Sequence, residues 1–264
     1  MNKVLTAMDK SGSFRVYLTI STDLVEEARQ IHQTTPLGTA ALGRVLTGAG
    51  LMGLLLKNEK DKLTVIFKGD GPAKQILATA NSRGEVKGYI SNPDVDLPLR
   101  PDGKLDVGGS LGIGELTVIK DLGLKEPFIG TIALASGEIA EDLTAYYYIS
   151  EQQNSAISLG VKIETDYTVG AAGGMIIQLL PDFKDEAVDA LEAMLAKLPP
   201  ITTLIDEVNA EKPEASHEEK VSLLGYKIFG SMPEEYTIKH LDMREIKWEC
   251  DCSEERLEKA LNNI

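Results

Sequence analysis

The stretch Phe14-Arg15-Val16-Tyr17-Leu18-Thr19-Ile20 puts an apolar side chain at every second position, with Arg15, Tyr17 and Thr19 between them. Side chains alternate between the two faces of an extended chain, so this spacing predicts a strand with one face on a core. Working outward, Asp23 opens an amphipathic helix over 23–33, and Pro36, suited to a first helical position, opens an Ala- and Leu-rich helix to Lys57. Residues 63–68 form a β-rich run stopped by Gly69-Asp70-Gly71-Pro72, and residues 75–80 and 85–90 flank the hairpin turn Asn81-Ser82-Arg83-Gly84. Beyond a loop over 91–114 rich in Pro, Asp and Gly, residues 115–120, 128–135, 156–164 and 175–180 read as strands, with a helix over 137–151. Strands outnumber helices and short turns join many of them. The expected fold class is therefore α+β, a mixed-sheet core domain with packed helices over residues 1–181.

The pattern changes at Asp182. Val188, Leu191, Leu195 and Leu198 recur at steps of three, four and three around acidic residues, and Pro199-Pro200 stops the helix they define. A second helix carries Ile201, Leu204, Ile205 and Val208; Ser216 with Glu219 forms a capping box opening a third, with Val221, Leu224 and Ile228. Residues 182–235 thus read as a helical linker in which each helix has one apolar face to bury. Residues 236–264 read as the start of a small C-terminal module. An extended run places Ile246, Trp248, Cys250 and Cys252 on one side, and Ser253 then caps a helix that reaches Ile264 with no Gly or Pro stop. That unfinished pattern gives the expectation of a chain cut within the module.

The net charge of −14 argues against nucleic acid as a partner, since phosphate binding needs clustered Lys and Arg. Acids outnumber bases by nearly two to one beyond residue 182, the mark of a solvated region. The first ten residues carry no long apolar stretch of a secretory signal, and the most apolar window, 40–56, is interrupted by Arg44 and short for a bilayer. No membrane partner and a cytoplasmic address are expected.

Cys250 and Cys252 are the only cysteines, so any thiol chemistry belongs to them. Their Cys-x-Cys spacing lets two thiolates reach one soft metal ion or lets the sulfurs pair with each other, and acidic Glu249 and Asp251 oppose thiolate formation. A closed four-ligand zinc site would need two further donors, and His32, His217 and His240 lie outside ligand spacing. Gly48-Ala49-Gly50-Leu51-Met52-Gly53 matches G-x-G-x-x-G, but the residues before it are helical, so close packing through small residues explains it better than a dinucleotide. Gly69-Asp70-Gly71 and the run 108–114 lack the Gly-Lys-Ser/Thr of a phosphate loop. A small-molecule hydrolase or transferase using this Gly-rich core is the alternative function, and a thiol oxidoreductase using Cys250 and Cys252 a third.

Taken in order, Lys68-Gly69-Asp70-Gly71-Pro72, Gly84-Glu85-Val86-Lys87-Gly88-Tyr89, Ser136-Gly137-Glu138-Ile139-Ala140-Glu141-Asp142-Leu143 and Cys250-Asp251-Cys252 resemble the heat-shock protein 33 family, redox-regulated bacterial holdase chaperones. The resemblance implies a non-enzymatic, ATP-independent chaperone that binds unfolding or oxidatively damaged clients and stops their aggregation. It implies an α+β core, a helical linker lying over it and a C-terminal zinc module. In the family a Cys-x-Cys and a later Cys-x-x-Cys hold zinc in the reduced, inactive state. Oxidation forms disulfides, expels the zinc and loosens the linker to expose client-binding surface, and the active form is associated with homodimers. Cys250 and Cys252 match the first pair, as redox-switch thiols and half of a zinc site; the second pair is absent from this sequence. Val188, Leu191, Leu195 and Leu198 become the candidate client-binding face. A switch missing its distal half should leave client binding weakly dependent on redox state.

Overall fold

The computed structural model describes residues 2–250 and residue 258. Ten strands form one sheet, in the order β7-β6-β3-β4-β5-β10-β1-β2-β9-β8. In chain order these are β1 (Asn2–Asp9), β2 (Phe14–Ile20), β3 (Lys62–Gly69), β4 (Gln75–Asn81), β5 (Glu85–Ile90), β6 (Gly114–Asp121), β7 (Phe128–Ala133), β8 (Ser155–Ile163), β9 (Val169–Leu179) and β10 (Ile238–Trp248). The helices are α1 (Thr22–His32), α2 (Pro36–Leu54), α3 (Val107–Leu111), α4 (Ala140–Ser150), α5 (Asp185–Leu195), α6 (Ile201–Glu211) and α7 (His217–Phe229). The α+β reading holds.

Helix α2 organises one face. Thr35 caps it by accepting the Gly38 N–H at 3.2 Å, and Pro36 occupies its first turn, where a missing N–H leaves nothing unpaired. Every residue except Pro36 and Arg44 is buried. It touches β3, β4 and β5 as well as β8 and β9, so the sheet curls around it, and Leu42, Val45, Leu46 and Leu51 join Val65, Phe67, Ile76, Leu116 and Ile176 in the larger core. Each such buried Leu or Phe contributes about 1.5–3 kcal/mol. The glycines of the G-x-G-x-x-G match serve contact: a methyl added at Gly53 would stand 2.8 Å from the Asn81 carbonyl oxygen. The quoted run Ser136 to Leu143 is a loop wound on a carboxylate from the first turn of α4, because buried Asp142 accepts the N–H groups of Ala135, Ser136, Gly137 and Ile139 at 2.7–3.2 Å.

Several features differ from the sequence reading. Residues 2–9 form a strand that alternation did not reveal, because β1 is buried on both faces and its register slips between Thr6 and Ala7. Strand β9 begins at Val169, six residues earlier than expected, with Gly170, Gly173 and Gly174 in its first half. Most consequential is residue 236 as the start of an outlying module. Ile238–Trp248 lies inside the sheet, antiparallel to β1 along its length and parallel to β5 through Lys247↔Glu85 and Trp248↔Val86. It is the seam between β3–β7 and the remaining strands, and its pairing with β1 decides its place despite a largely polar sequence.

Candidate functional site

The expected linker is a crossover from β9 to β10, and it runs across the sheet face opposite α2. There Leu5 and Ala7 of β1, Phe14, Val16, Leu18 and Ile20 of β2, and Ala171, Met175 and Ile177 of β9 make an apolar floor, each at most 4% exposed. The alternation of β2 thus aims its apolar set at the linker. The cover is Leu191 of α5, Ile201, Leu204, Ile205 and Val208 of α6, and Val221, Leu224, Ile228 and Phe229 of α7. Phe229 stacks on Phe14 with ring centroids 6.3 Å apart, within the favourable range for aromatic pairs.

Glycine permits the closest approaches. A methyl added at Gly173 of β9 would lie 2.6 Å from Ile205 Cδ1 and 2.6 Å from the Thr19 carbonyl oxygen, and one added at Gly225 of α7 would lie 3.0 Å from Leu5 Cδ2. The Ser216 hydroxyl accepts the Glu219 N–H while the Glu219 carboxylate accepts the Ser216 N–H, completing the expected capping box within α7. The polar fastenings to the sheet are few, and Lys184 N–H donating to Ser13 Oγ at 3.1 Å ties the start of α5 to the turn before β2. The backbone N–H of Lys3 donates to Nδ1 of His217 at 3.1 Å, a bond available only to an imidazole unprotonated at that nitrogen. Burial, the largest cause, holds the His217 pKa below its usual value; Lys220 and Lys3 add to this and Asp23 opposes it. Lys162 of β8 reaches Asp206 of α6 at 3.0 Å, an exposed pair of small energetic weight. Apolar burial therefore carries the docking.

Of the candidate client-binding residues, Leu191 is buried, Leu195 and Leu198 are half-buried against this same core, and Val188 is half-buried on α5. In this state Leu191, Leu195 and Leu198 cover the sheet. Cys250 is exposed, two residues beyond β10, while Cys252 lies outside the described residues. The chain just before it is held by Lys247 N–H donating to Gly84 O and Glu249 N–H to Val86 O, by the Arg244 guanidinium reaching Leu54 O and Ser82 O, and by Trp248 packed edge-on against His32, 5.7 Å between centroids. Among the described residues no three His, Cys, Asp or Glu side chains converge as metal ligands. Two thiolates are half of a tetrahedral set, so the described residues do not build a closed zinc site.

The Gly-rich core shows internal packing. Ser110 is buried and donates to Val107 O at 2.7 Å, and Asp70 accepts the Ile113 N–H at 2.8 Å. The sheet floor is what sequence reasoning missed, since a period of two reveals an apolar face without naming its partner. The membrane-length helix α2 is core, with 94% of its apolar window buried.

A family model described as Hsp33 protein matches residues 2–264. The 33 kDa chaperonin of Alkaliphilus oremlandii is 44% identical over 264 residues, covering 100% of this chain and 84% of the relative. That of Clostridioides difficile is 46% identical over 259 residues, covering 98% and 84%. The crystal structure of a 33 kDa chaperonin, a heat-shock protein 33 homologue from Thermotoga maritima, superposes with a TM-score of 0.86 at 36% identity, covering 100% of this chain and 85% of that one.

Proposed function

The chain belongs to the Hsp33 protein family of chaperones, and from that premise we propose that it is a cytoplasmic, ATP-independent holdase whose client-binding surface is the apolar interface between sheet and linker. The observation that carries this reading is the apolar floor of β1, β2 and β9, covered among the described residues by α5, α6 and α7 with Met232 and Tyr236 just beyond them. Once uncovered, a contiguous patch of that kind holds exposed apolar segments of unfolding proteins. The cover has the traits of a removable element: three helices of eleven to thirteen residues, too short to persist undocked, with acidic outer faces. Val188, Leu191, Leu195 and Leu198 then supply the complementary apolar face of the released linker.

Cys250 and Cys252 are proposed as the redox element, with zinc as the ligand their thiolates would share in a complete site. Their position supports the assignment, because β10, which precedes Cys250, pairs along β1, whose Leu5 and Ala7 are part of the covered floor. A change at Cys250 acts first on the two-pair join between β10 and β5, which ends at Trp248. The reading assigns no enzymatic step.

The test is light scattering of a thermally unfolding client without nucleotide, in reductant and after peroxide, with wild type and Ile205→Asp. A buried unpaired carboxylate forces α6 off the sheet. The variant is expected to suppress aggregation more strongly than wild type in both states. Equal or weaker suppression by a folded Ile205→Asp protein would show that the covered face is not where clients bind. With only Cys250 and Cys252 present, wild-type suppression should change little on oxidation; a strong change would overturn that uncoupling.

A further inference from the structure

The sheet has two edges, and they are treated differently. Strand β8 breaks its register between Lys162 and Ile163, carries Lys162 paired with Glu164 and Asp206, and lies against α2, α4 and α6, whereas the helix that packs on β7 is α4, which covers one face of that strand and not its hydrogen-bonding edge. Bulges, edge lysines and covering helices are the means by which proteins keep an edge from recruiting another strand. Strand β7, Phe128-Ile129-Gly130-Thr131-Ile132-Ala133, has no charge, no proline and an unbroken register with β6.

The direction of its open hydrogen-bonding groups follows from register. Leu134 N–H donates to Gly114 O, which makes 114↔134 a hydrogen-bonded pair; alternation in an antiparallel ladder then turns the N–H and C=O of Ile129, Thr131 and Ala133 outward. None of these groups has a partner among the described residues. Ile129 is 58% exposed and Phe128 46%, and Ile113, at 85%, lines a shallow cleft with Thr131 and Ala133.

We propose that the β7 edge is a second client-binding site, one that takes an extended segment of non-native polypeptide by strand addition. The proposal rests on the holdase reading for the supply of such segments. An open row of donors and acceptors is matched only by extended backbone, and the exposed Ile129 and Phe128 favour apolar side chains on it. The net charge of −14 selects a neutral or basic segment and opposes a second copy of this chain. The edge lies at the far end of the strand order from β1, β2 and β9, and the helix packed on β7 is α4 and not a linker helix, so docking of the linker should leave it open.

The experiment uses a labelled soluble peptide that alternates valine with threonine between lysine ends, titrated by fluorescence anisotropy against the full chain in reductant and after peroxide. Thr131→Pro removes one outward N–H and leaves the β6 ladder intact, and Ile129→Lys is a second block that keeps the backbone. Expected are equal binding in both redox states, a loss of about tenfold or more in each variant with unchanged melting temperature, and loss on N-methylation of alternate peptide residues. Undiminished binding to folded Thr131→Pro and Ile129→Lys overturns the edge site, whatever the light-scattering result. A concentration-dependent dimer abolished by Thr131→Pro overturns it in favour of a second copy. Peptide binding lost in the variants, in a chain that suppresses no aggregation, sinks the holdase reading and leaves the strand-adding edge standing.

Discussion

The two faces of the sheet carry apolar cores of similar chemistry and opposite construction. On one, α2 is buried nearly all round at the centre of a core to which α1, α3 and α4 also contribute. On the other, α5, α6 and α7 bury one side each and keep the other in water. A helix that is apolar all round must be permanent, whereas an amphipathic one leaves a sheet still supported from behind. One sheet therefore holds a fixed core and a detachable one, and the difference lies in how much of each helix needs the sheet.

The largest effect expected is that equal truncations on the two faces act in different places. Leu46→Ala and Ile205→Ala both remove side chains with no exposure, and each costs about 2–5 kcal/mol. Leu46→Ala should lower the whole unfolding transition. Ile205→Ala should speed native-state hydrogen exchange in α6 and α7 while leaving β3, β4 and β6 unchanged; equal acceleration in both regions would mean that the cores are one cooperative unit. Gly173→Ala places a methyl against Ile205 and Thr19, and should weaken docking by about 1–3 kcal/mol in the same exchange measurement.

Acid sharpens the comparison. Undocked, His217 ionises near the usual value of about 6.5, while docking holds its pKa lower, chiefly through burial. Between those two values the undocked state binds the extra proton, so the docking stability His217 contributes is complete above about pH 6.5 and is lost as pH falls through the docked pKa. Linker exchange should quicken on acidification, by the worth of about one hydrogen bond, and His217→Asn, which keeps an acceptor without titrating, should flatten the response. The smallest effect belongs to Lys162→Met, expected to change docking by less than about 1 kcal/mol, because the pair with Asp206 is exposed.

The sequence shows these features unequally. The helices of the linker are legible because amphipathic spacing, a capping box and proline stops are local signals. The apolar set of β2 is legible too, but its partner is not, since Phe14 and Phe229 meet across 215 residues. β10 is legible as an extended run, but its place is not: Lys239, His240, Leu241 and Asp242 are exposed, and only pairing with β1 makes the segment an interior strand. At the cysteine site, local spacing names Cys250 and Cys252 as partners for a soft metal or for each other. It does not reveal that the chain before them fastens the two halves of a sheet.

That fastening strand is the last in sequence among the described residues and the sixth across the sheet, with Asn2 facing Ile246. On the ribosome, β1 emerges first and waits for its neighbour through more than 200 residues of synthesis, roughly ten to fifty seconds at bacterial elongation rates. Throughout that interval the β1 and β5 edges lie open, and the apolar floor stays bare until α5 to α7 have been made. The newborn chain therefore passes through the very condition it is proposed to relieve in others, and its yield in a cell should depend on the help it receives before its own linker arrives.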